Sequence, residues 1–385
     1  MKILKIKISG YKLLEDNFEI DFLSKARVNS SDKEDEVIEL DDNLFIPTTT
    51  VFTGKNASGK TSVLSMFEFV SELLYNARIK YDKLDFRSNK IELTVFFYKS
   101  KTIYKYQGIV NIPEANILKE TNYCYFTNEK IYSKKYNKSY AKRIIDMPFD
   151  LEMVQKSSVP DTSILYGFTA NHSLVVNSNE WFHNYKIEEI FELFNIFEVT
   201  PKLMLKITNL FDESIEKFEY DPIKKLFILN MKSIGENTYG EKEVDMLLSD
   251  GTKKGLFMFG LTIAILKMGG TLIIDEIENS FHKNLVENII MIFNDKRINT
   301  KNANLIFSTH YVEILDIFRR RDNIFIMRKN SYITACNLYA DFKDRIDLSK
   351  SNQFNNNTFQ TLINYDRLMD LKKELINEIS NSIRG

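Results

Sequence analysis

A phosphate-binding loop between residues 54 and 61 constrains the fold of this chain more than any other feature. Its sequence, Gly-Lys-Asn-Ala-Ser-Gly-Lys-Thr, has the spacing G-x-x-x-x-G-K-[ST]. The two glycines let the backbone wrap so tightly that its N–H groups point at phosphate oxygens. Lys60 supplies a cation for the β- and γ-phosphates, and the Thr61 hydroxyl is a hard ligand for Mg²⁺. The chain is therefore predicted to bind a nucleoside triphosphate together with Mg²⁺.

The flanking sequence places this loop between a strand and a helix. Residues 48–53 are rich in β-branched side chains, as in a buried strand, and apolar residues recur at helical spacing after Thr61. The phosphates would then lie at a helix N-terminus, where free backbone N–H groups bind anions. The predicted nucleotide contacts are Gly54, Lys55, Asn56, Ala57, Ser58, Gly59, Lys60, Thr61 and Ser62.

Composition narrows the class of protein further. A net charge of −1 over 385 residues gives no general argument for binding nucleic acid, and the basic cluster at residues 319–321 is expected to be solvated surface. The longest apolar run, residues 256–266, is too short to span a bilayer. Cys124 and Cys336 have neither metal-ligand spacing nor the pattern of a disulfide framework. We therefore expect a cytoplasmic protein with no membrane segment.

Hydrophobic periodicity predicts an α/β fold of P-loop type with a mixed central sheet. Residues 1–8 alternate as in an edge strand, and alternating runs between residues 90 and 132 predict an antiparallel β-meander. The aromatic-rich helical pattern from about residue 145 to 210 predicts an inserted helical subdomain. The predicted segments are 1–144 and 213–335 for the two parts of the nucleotide-binding domain, 145–212 for the helical insertion and 336–385 for a C-terminal helical tail.

Two carboxylates end a second buried strand pattern, which covers residues 271–276. Asp275 would hold Mg²⁺ through water, opposite Thr61. Glu276 would orient or deprotonate the attacking water, because phosphoryl transfer mostly needs positioning and charge neutralisation. The alternative is that the pair only ends a strand near an exposed turn. Since a phosphate loop precedes it, the catalytic interpretation is favoured.

A histidine ends a third buried strand pattern, at residues 304–309. The imidazole of His310 can hydrogen-bond a γ-phosphate oxygen and so respond to its presence. The alternative is an ordinary surface histidine. Because ligands bind at the carboxyl ends of parallel strands, we expect the strand ends at Thr53, Asp275 and Thr309 to lie on one edge of the sheet.

A second candidate anion site precedes the helix predicted for residues 253–268. Ser249 and Gly251 belong to the sequence Leu-Ser-Asp-Gly-Thr at residues 248–252, and the helix is predicted to stop at a pair of glycines. The open N–H groups of this helix N-terminus suit an anion. One triphosphate does not need two such sites, which suggests that this one faces the γ-phosphate held by another copy of the protein. The alternative is an ordinary N-cap.

These motifs resemble the ABC-type ATPase head of the SMC, RecF and OLD group. Residues 54–61 resemble its Walker A loop, residues 248–252 its signature motif, Asp275 and Glu276 its Walker B pair, and His310 its switch histidine. The resemblance is strongest to the compact OLD-like ATPases of bacterial anti-phage and abortive-infection systems such as PARIS and AbiL. It covers roughly residues 1–130 and 215–330.

The chain departs from the family pattern at several positions. Ile277 and Lys283 stand where the family usually has proline, which affects the stiffness of the loop more than its chemistry. By resemblance, residues 279–282 form the loop that crosses a dimer interface, although His282 could equally be a packed turn residue. Gln107 is a candidate for the family's Q-loop glutamine; the alternative is an exposed strand position.

The resemblance implies a biochemical role. It implies hydrolysis of ATP with Mg²⁺ between the subunits of a homodimer or higher oligomer, a phage-derived trigger, and control of a separately encoded nuclease or toxin. No built-in nuclease is expected, because the three-residue spacing of Asp341, Asp344 and Asp347 is typical of a solvated helix face.

Two other functions compete with this one. A DNA-repair ATPase of RecF type would need a basic surface and would be stimulated by DNA. A binding module with an uncleaved structural ATP would have no need of Glu276.

Overall fold

A computed structural model describes most of the chain. The described residues are 1–80, 87, 89–112, 122–140, 146, 148–154, 161–168, 186–342, 349–359 and 365–382. Asp344 and Asp347 lie outside these ranges, as does part of the aromatic helical pattern, including Trp181 and Phe182.

Sixteen strands and nine α-helices lie within the described residues. The strands are β1 (Lys2–Ser9), β2 (Phe18–Asp21), β3 (Val37–Asp41), β4 (Leu44–Pro47), β5 (Thr49–Thr53), β6 (Lys90–Lys99), β7 (Thr102–Asn111), β8 (Tyr125–Lys135), β9 (Asp150–Val154), β10 (Ile215–Asp221), β11 (Leu226–Met231), β12 (Gly235–Tyr239), β13 (Thr271–Ile274), β14 (Asn304–Thr309), β15 (Ile324–Lys329) and β16 (Ile333–Asn337). The helices are α1 (Ser30–Glu34), α2 (Lys60–Asn76), α3 (Ile187–Ile196), α4 (Pro201–Asn209), α5 (Glu241–Leu247), α6 (Asp250–Met268), α7 (Lys283–Asn294), α8 (Lys350–Asn355) and α9 (Tyr365–Ser382).

The central sheet has the strand order β13-β14-β5-β15-β16. Its first four strands are parallel, and β16 returns antiparallel to β15. Successive residues such as Val51 and Phe52 are both fully buried and belong to different apolar cores, one on each face of the sheet. Burial on both faces explains why these strands are continuous apolar runs rather than alternating ones. The predicted α/β fold with a mixed central sheet is confirmed.

A six-stranded antiparallel sheet, in the order β2-β1-β6-β7-β8-β9, contains the predicted meander. Strand β1 was expected at an edge, and this expectation is wrong. Residues of β1 pair with β2 on one side and with β6 on the other. Strand β2 has only four residues, too few for hydrophobic periodicity to reveal it.

Two apolar cores lie on opposite sides of the central sheet. Helix α2 and the inner face of the antiparallel sheet form one core with residues such as Phe52 and Ile306. Helices α3, α4, α6 and α7 form the other with residues such as Val51 and Phe307. The central sheet is therefore covered on both faces, and only its strand ends remain open for a site.

The described elements extend past two of the predicted segment boundaries. Strand β9 continues the antiparallel sheet beyond residue 144, and β16 spans residue 335. Helices α3 and α4 lie in the segment predicted as a helical insertion. Among the described residues, no helix combines the length and apolar character that crossing a membrane requires.

Two of the three arginines at residues 319–321 are buried, contrary to the expectation of solvated surface, whereas Arg319 is exposed. Arg320 is only 4% exposed, and its guanidinium group binds Asp32 and Asp322. Glu36 accepts the backbone N–H groups of Arg319 (2.7 Å) and Arg320 (2.9 Å). The acidic segment around α1 thus neutralises the arginines, from almost 300 residues away in sequence. Such a long-range pairing leaves no trace in local charge patterning.

Candidate functional site

The carboxyl ends of β5, β13 and β14 lie on one edge of the central sheet. Strand β14 pairs in parallel with both neighbours, matching Thr309 to Thr53 on one side and Phe307 to Ile274 on the other. The segments that follow these strands therefore meet: the phosphate loop, the pair Asp275 and Glu276, and His310. This is the arrangement predicted from the three strand ends.

The phosphate loop has the backbone geometry that its glycines allow. Gly54 has φ of 153° and Gly59 has φ of 99°, a region that disfavours side chains. A Cβ atom on Gly54 would lie 2.6 Å from the carbonyl oxygen of Met327, and one on Gly59 would lie 2.6 Å from the side chain of Ile333. Helix α2 begins directly after Gly59, at Lys60. The loop therefore presents its N–H groups at a helix N-terminus, as an anion site requires.

Lys60 lies buried at the centre of the site. Its Nζ atom donates to the carbonyl oxygens of Gly54 (3.2 Å) and Lys55 (3.4 Å), and lies 3.5 Å from Nδ1 of His310. Burial lowers the pKa of Lys60, while the negative charges of Glu276, Asp275 and Glu278 oppose this shift. These carboxylates therefore favour the charged form of the lysine, which phosphate binding needs.

Asp275 and Glu276 are held together by one hydroxyl group. Asp275 is buried and accepts a hydrogen bond from Oγ of Ser308, and the same Oγ accepts the backbone N–H of Glu276 at 2.7 Å. Ser308 is itself fully buried in β14. No sequence motif predicts a role for Ser308; its only signal is a small polar residue near the end of an apolar strand.

The carboxylate of Glu276 points into the site rather than ending a strand at an exposed turn. Its residue has φ of 46°, and the chain then enters a short 3-10 turn, Ile277–Ser280. One carboxylate oxygen accepts from the side-chain amide of Asn279, and the other lies 3.5 Å from Nε2 of His310. The carboxylate is thus oriented from two sides.

The imidazole of His310 bridges Glu276 and Lys60. Lys60 can only donate and the Glu276 carboxylate can only accept. The neutral ring therefore accepts at Nδ1 and carries its proton on Nε2, an assignment made from these two partners. His310 is half-buried in this chain of contacts and is not an ordinary surface histidine.

These residues line a cavity of about 480 Å³. It is lined by Leu13, Asn56, Ala57, Ser58, Gly59, Lys60, Thr61, Ser62, Glu276, Asn279, His310, Lys329 and Ile333. Sequence reasoning missed Leu13, Lys329 and Ile333. They belong to segments that carry no motif. Pairing between Leu14 and Ile333 brings these segments to the phosphate loop.

A magnesium ion fits the chemistry of this site. The predicted ligands, the Thr61 hydroxyl and the Asp275 carboxylate, are oxygen donors of the kind that Mg²⁺ prefers. Triphosphate oxygens and water would supply the remaining ligands, since Mg²⁺ usually keeps several waters. Within the described residues, no cluster of three or more His, Cys, Asp or Glu residues could hold a metal by itself.

Ser249 and Gly251 do not line the cavity. Ser249 caps α6: its Oγ accepts the N–H of Thr252 at 3.1 Å. Both residues are exposed, so the N-terminus of α6 opens to the outside of this chain.

Three other residues that the sequence motifs single out also lie away from the cavity. Gln107 lies in β7 and lines a separate polar concavity on the outer face of the antiparallel sheet. His282 is exposed and precedes α7. Asp341 accepts the backbone N–H of Asn337 at 2.6 Å, which is a structural role.

Comparison with known proteins gives one family match. Residues 203–316 match the family described as "AAA domain, putative AbiEii toxin, Type IV TA system". The matched region contains residues 248–252, Asp275, Glu276 and His310, and begins after the phosphate loop. No curated protein matches the chain. Among solved structures, the SMC head domain from Thermotoga maritima is similar, with 12% identity, a TM-score of 0.42, and coverage of 88% of this chain and 100% of that domain. Strand order, phosphate loop and family match together give the chain the fold of a P-loop ATPase of ABC type.

Proposed function

We propose that the chain hydrolyses ATP with Mg²⁺. The observation that supports this proposal most directly is the position of the Glu276 carboxylate. It lines the same cavity as Lys60 and the phosphate loop, and Asn279 and His310 orient it. A site that only stored ATP would have no use for a carboxylate oriented at the edge of the cavity, where it could position an attacking water.

The predicted site residues then have distinct roles. The N–H groups of the phosphate loop and Lys60 bind the β- and γ-phosphates. Thr61 and Asp275 hold Mg²⁺, which supplies charge neutralisation at the phosphates when bound. Glu276 orients the attacking water and accepts its proton, and His310 donates from Nε2 to a γ-phosphate oxygen when that group is present.

We further propose that two copies of the chain complete the site. Ser249 and Gly251 are exposed at the N-terminus of a long helix, and they do not line the cavity of their own chain. In a dimer, this N-terminus would bind the γ-phosphate held by the partner. ATP would then join the two heads, and hydrolysis would release them, as in other switches that γ-phosphate contacts hold in one state.

The cellular role that we propose is a nucleotide-switched sensor or scaffold in bacterial anti-phage defence, acting in the cytoplasm. The family that matches residues 203–316 is described as a "putative AbiEii toxin" of a toxin–antitoxin system, which supports a role in a system that has a toxic component. The partner that the chain controls would be a separately encoded nuclease or toxin, and the trigger would derive from the phage.

The test is the solution mass of Glu276→Gln, measured by light scattering with and without ATP and Mg²⁺. This variant should bind ATP without cleaving it, so its mass should double only when both are added. Lys60→Ala is the matched control and should stay at the mass of the ATP-free protein, because it loses the phosphate cation. ATP turnover should be absent in both variants.

Other outcomes would overturn parts of the proposal. Unchanged ATP turnover in Glu276→Gln would remove Glu276 from the reaction. A mass that ATP does not alter would contradict the composite site. An ATPase rate that rises several-fold with duplex DNA would favour the DNA-repair function instead.

A further inference from the structure

Glu278 connects the Walker B turn to the switch histidine. The 3-10 turn Ile277–Ser280 carries its side chain back towards the end of β14. There Oε1 of Glu278 accepts the backbone N–H of His310. His310 is the first residue beyond β14, and the ladder between β14 and β5 ends one residue earlier, at Thr309. The Glu278 carboxylate thus takes the place of a strand partner for this N–H group.

The position of the His310 ring depends on this backbone contact. Its two ring nitrogens each lie 3.5 Å from a partner, Lys60 on one side and Glu276 on the other. A shift of the His310 backbone would lengthen one or both of these contacts. In a catalytic site, misplacement by about 1 Å costs about 100-fold in rate.

A single backbone N–H group needs only a neutral acceptor, whereas Glu278 offers it a charged carboxylate. Its second oxygen, Oε2, is buried and has no hydrogen-bond partner among the described residues. A neutral acceptor such as an amide oxygen would satisfy the N–H at a smaller desolvation cost. The negative charge of this carboxylate also acts on Lys60: burial lowers the pKa of Lys60, and the charge of Glu278 opposes that shift.

We propose that Glu278 is a positioning residue for ATP hydrolysis and acts through His310. It holds the switch histidine where the ring can contact a γ-phosphate oxygen, and it contacts no reacting atom itself. The inference rests on the proposed ATPase function. Its geometric part, the anchoring of His310, can be tested without ATP.

The first experiment is amide hydrogen exchange of the nucleotide-free protein, followed by mass spectrometry of peptides that contain His310. In Glu278→Ala the His310 amide should exchange about tenfold faster, because its acceptor is gone. Glu278→Gln should restore most of the protection, since an amide oxygen still accepts one N–H. Glu313→Ala, at an exposed acid on the turn after His310, is the matched control and should leave this exchange unchanged. Equal exchange in Glu278→Ala and the native chain would overturn the anchoring.

The second experiment is a double-mutant cycle on the ATPase rate. Glu278→Ala should lower kcat by about 100-fold while the Kd for ATP stays within about threefold. Combined with His310→Ala, it should cause no further loss, because both changes remove the same positioned ring. Multiplying losses in the double variant would show that Glu278 acts independently of His310 and would overturn the proposal. If the native chain has no ATPase activity, the proposed function fails, whereas the exchange result still decides the anchoring.

Discussion

At the scale of single residues, the buried hydroxyl of Ser308 contacts both the carboxylate of Asp275 and the backbone of Glu276. It donates to Asp275 and accepts from the N–H of Glu276, so both of its hydrogen bonds among the described residues go to the two residues on which hydrolysis is proposed to depend. A residue that orients a metal ligand in this way affects metal affinity and rate although it touches neither the metal nor the substrate.

Ser308→Ala tests this role. Because Asp275 and the N–H of Glu276 would lose a buried partner, the free energy of unfolding should fall by about 1–3 kcal/mol. The ATPase rate or the apparent Mg²⁺ affinity should fall by about 10- to 100-fold, as for other partners of metal ligands. Chemical denaturation and a magnesium titration of ATPase activity measure the two effects. Ser139→Ala, in an exposed turn after β8, is the control for loss of a hydroxyl. An unaltered magnesium dependence would contradict the role.

At the scale of elements, sequence patterns predicted the strands and helices that carry the motifs. Strand β14 and helix α6 could be predicted from the sequence, because a buried strand is a short apolar run and a glycine pair ends the helix. Strand β2 and helix α1 could not be predicted from the sequence, since they are short and depend on partners distant in sequence. For the same reason, the arginines after residue 318 were assigned to the surface although acids near α1 bury one of them.

Arg320→Ala tests how strongly this pairing attaches α1. Arg320 is almost fully buried between Asp32 and Asp322, so its removal leaves two buried carboxylates without their cation. Breaking a buried pair in this way costs about 3–5 kcal/mol in the free energy of unfolding.

Arg319→Ala is the matched control, because the Arg319 side chain is 50% exposed and pairs with the partly exposed Asp35, with a longer contact of 3.7 Å to the buried Glu36. Exposed pairs contribute about 0–1 kcal/mol. Chemical denaturation of both variants measures the difference. Similar losses of unfolding free energy in the two variants would show that the buried ion pair contributes no more than the exposed one.

At the scale of the whole molecule, the cavity depends on how the two sheets are joined. The motifs predicted the phosphate loop, Glu276 and His310, because each ends a strand of the same parallel sheet. Leu13 and Ile333 could not be predicted, since they reach the loop only through pairing between the segment after β1 and the edge strand β16. Local sequence contains no information about which distant edge a segment will pair with.

Lys2 forms a second connection between the sheets. It lies at the start of β1, and its Nζ atom donates to Oδ1 of Asn304 (2.6 Å) and the carbonyl oxygen of Gly269 (3.1 Å), next to the central sheet. Burial, with a smaller contribution from the charge of Lys296, lowers the pKa of Lys2 from 10.5 to about 7. The connection between the sheets should therefore respond to pH near neutrality.

The direction of this response follows from the protons bound in each state. Between pH 7 and 10.5 the unfolded chain keeps a proton on Lys2 that the folded chain releases, so the contribution of Lys2 to the free energy of unfolding rises with pH. Below pH 7 both states are protonated, and the cost of burying the charge is fully present. Chemical denaturation from pH 6.5 to 9.5 should therefore show the native chain gaining stability relative to Lys2→Met. Lys7→Met, on the exposed face of β1, is the control for loss of a lysine. A difference between native chain and Lys2→Met that stays constant with pH would mean that Lys2 remains charged at the junction.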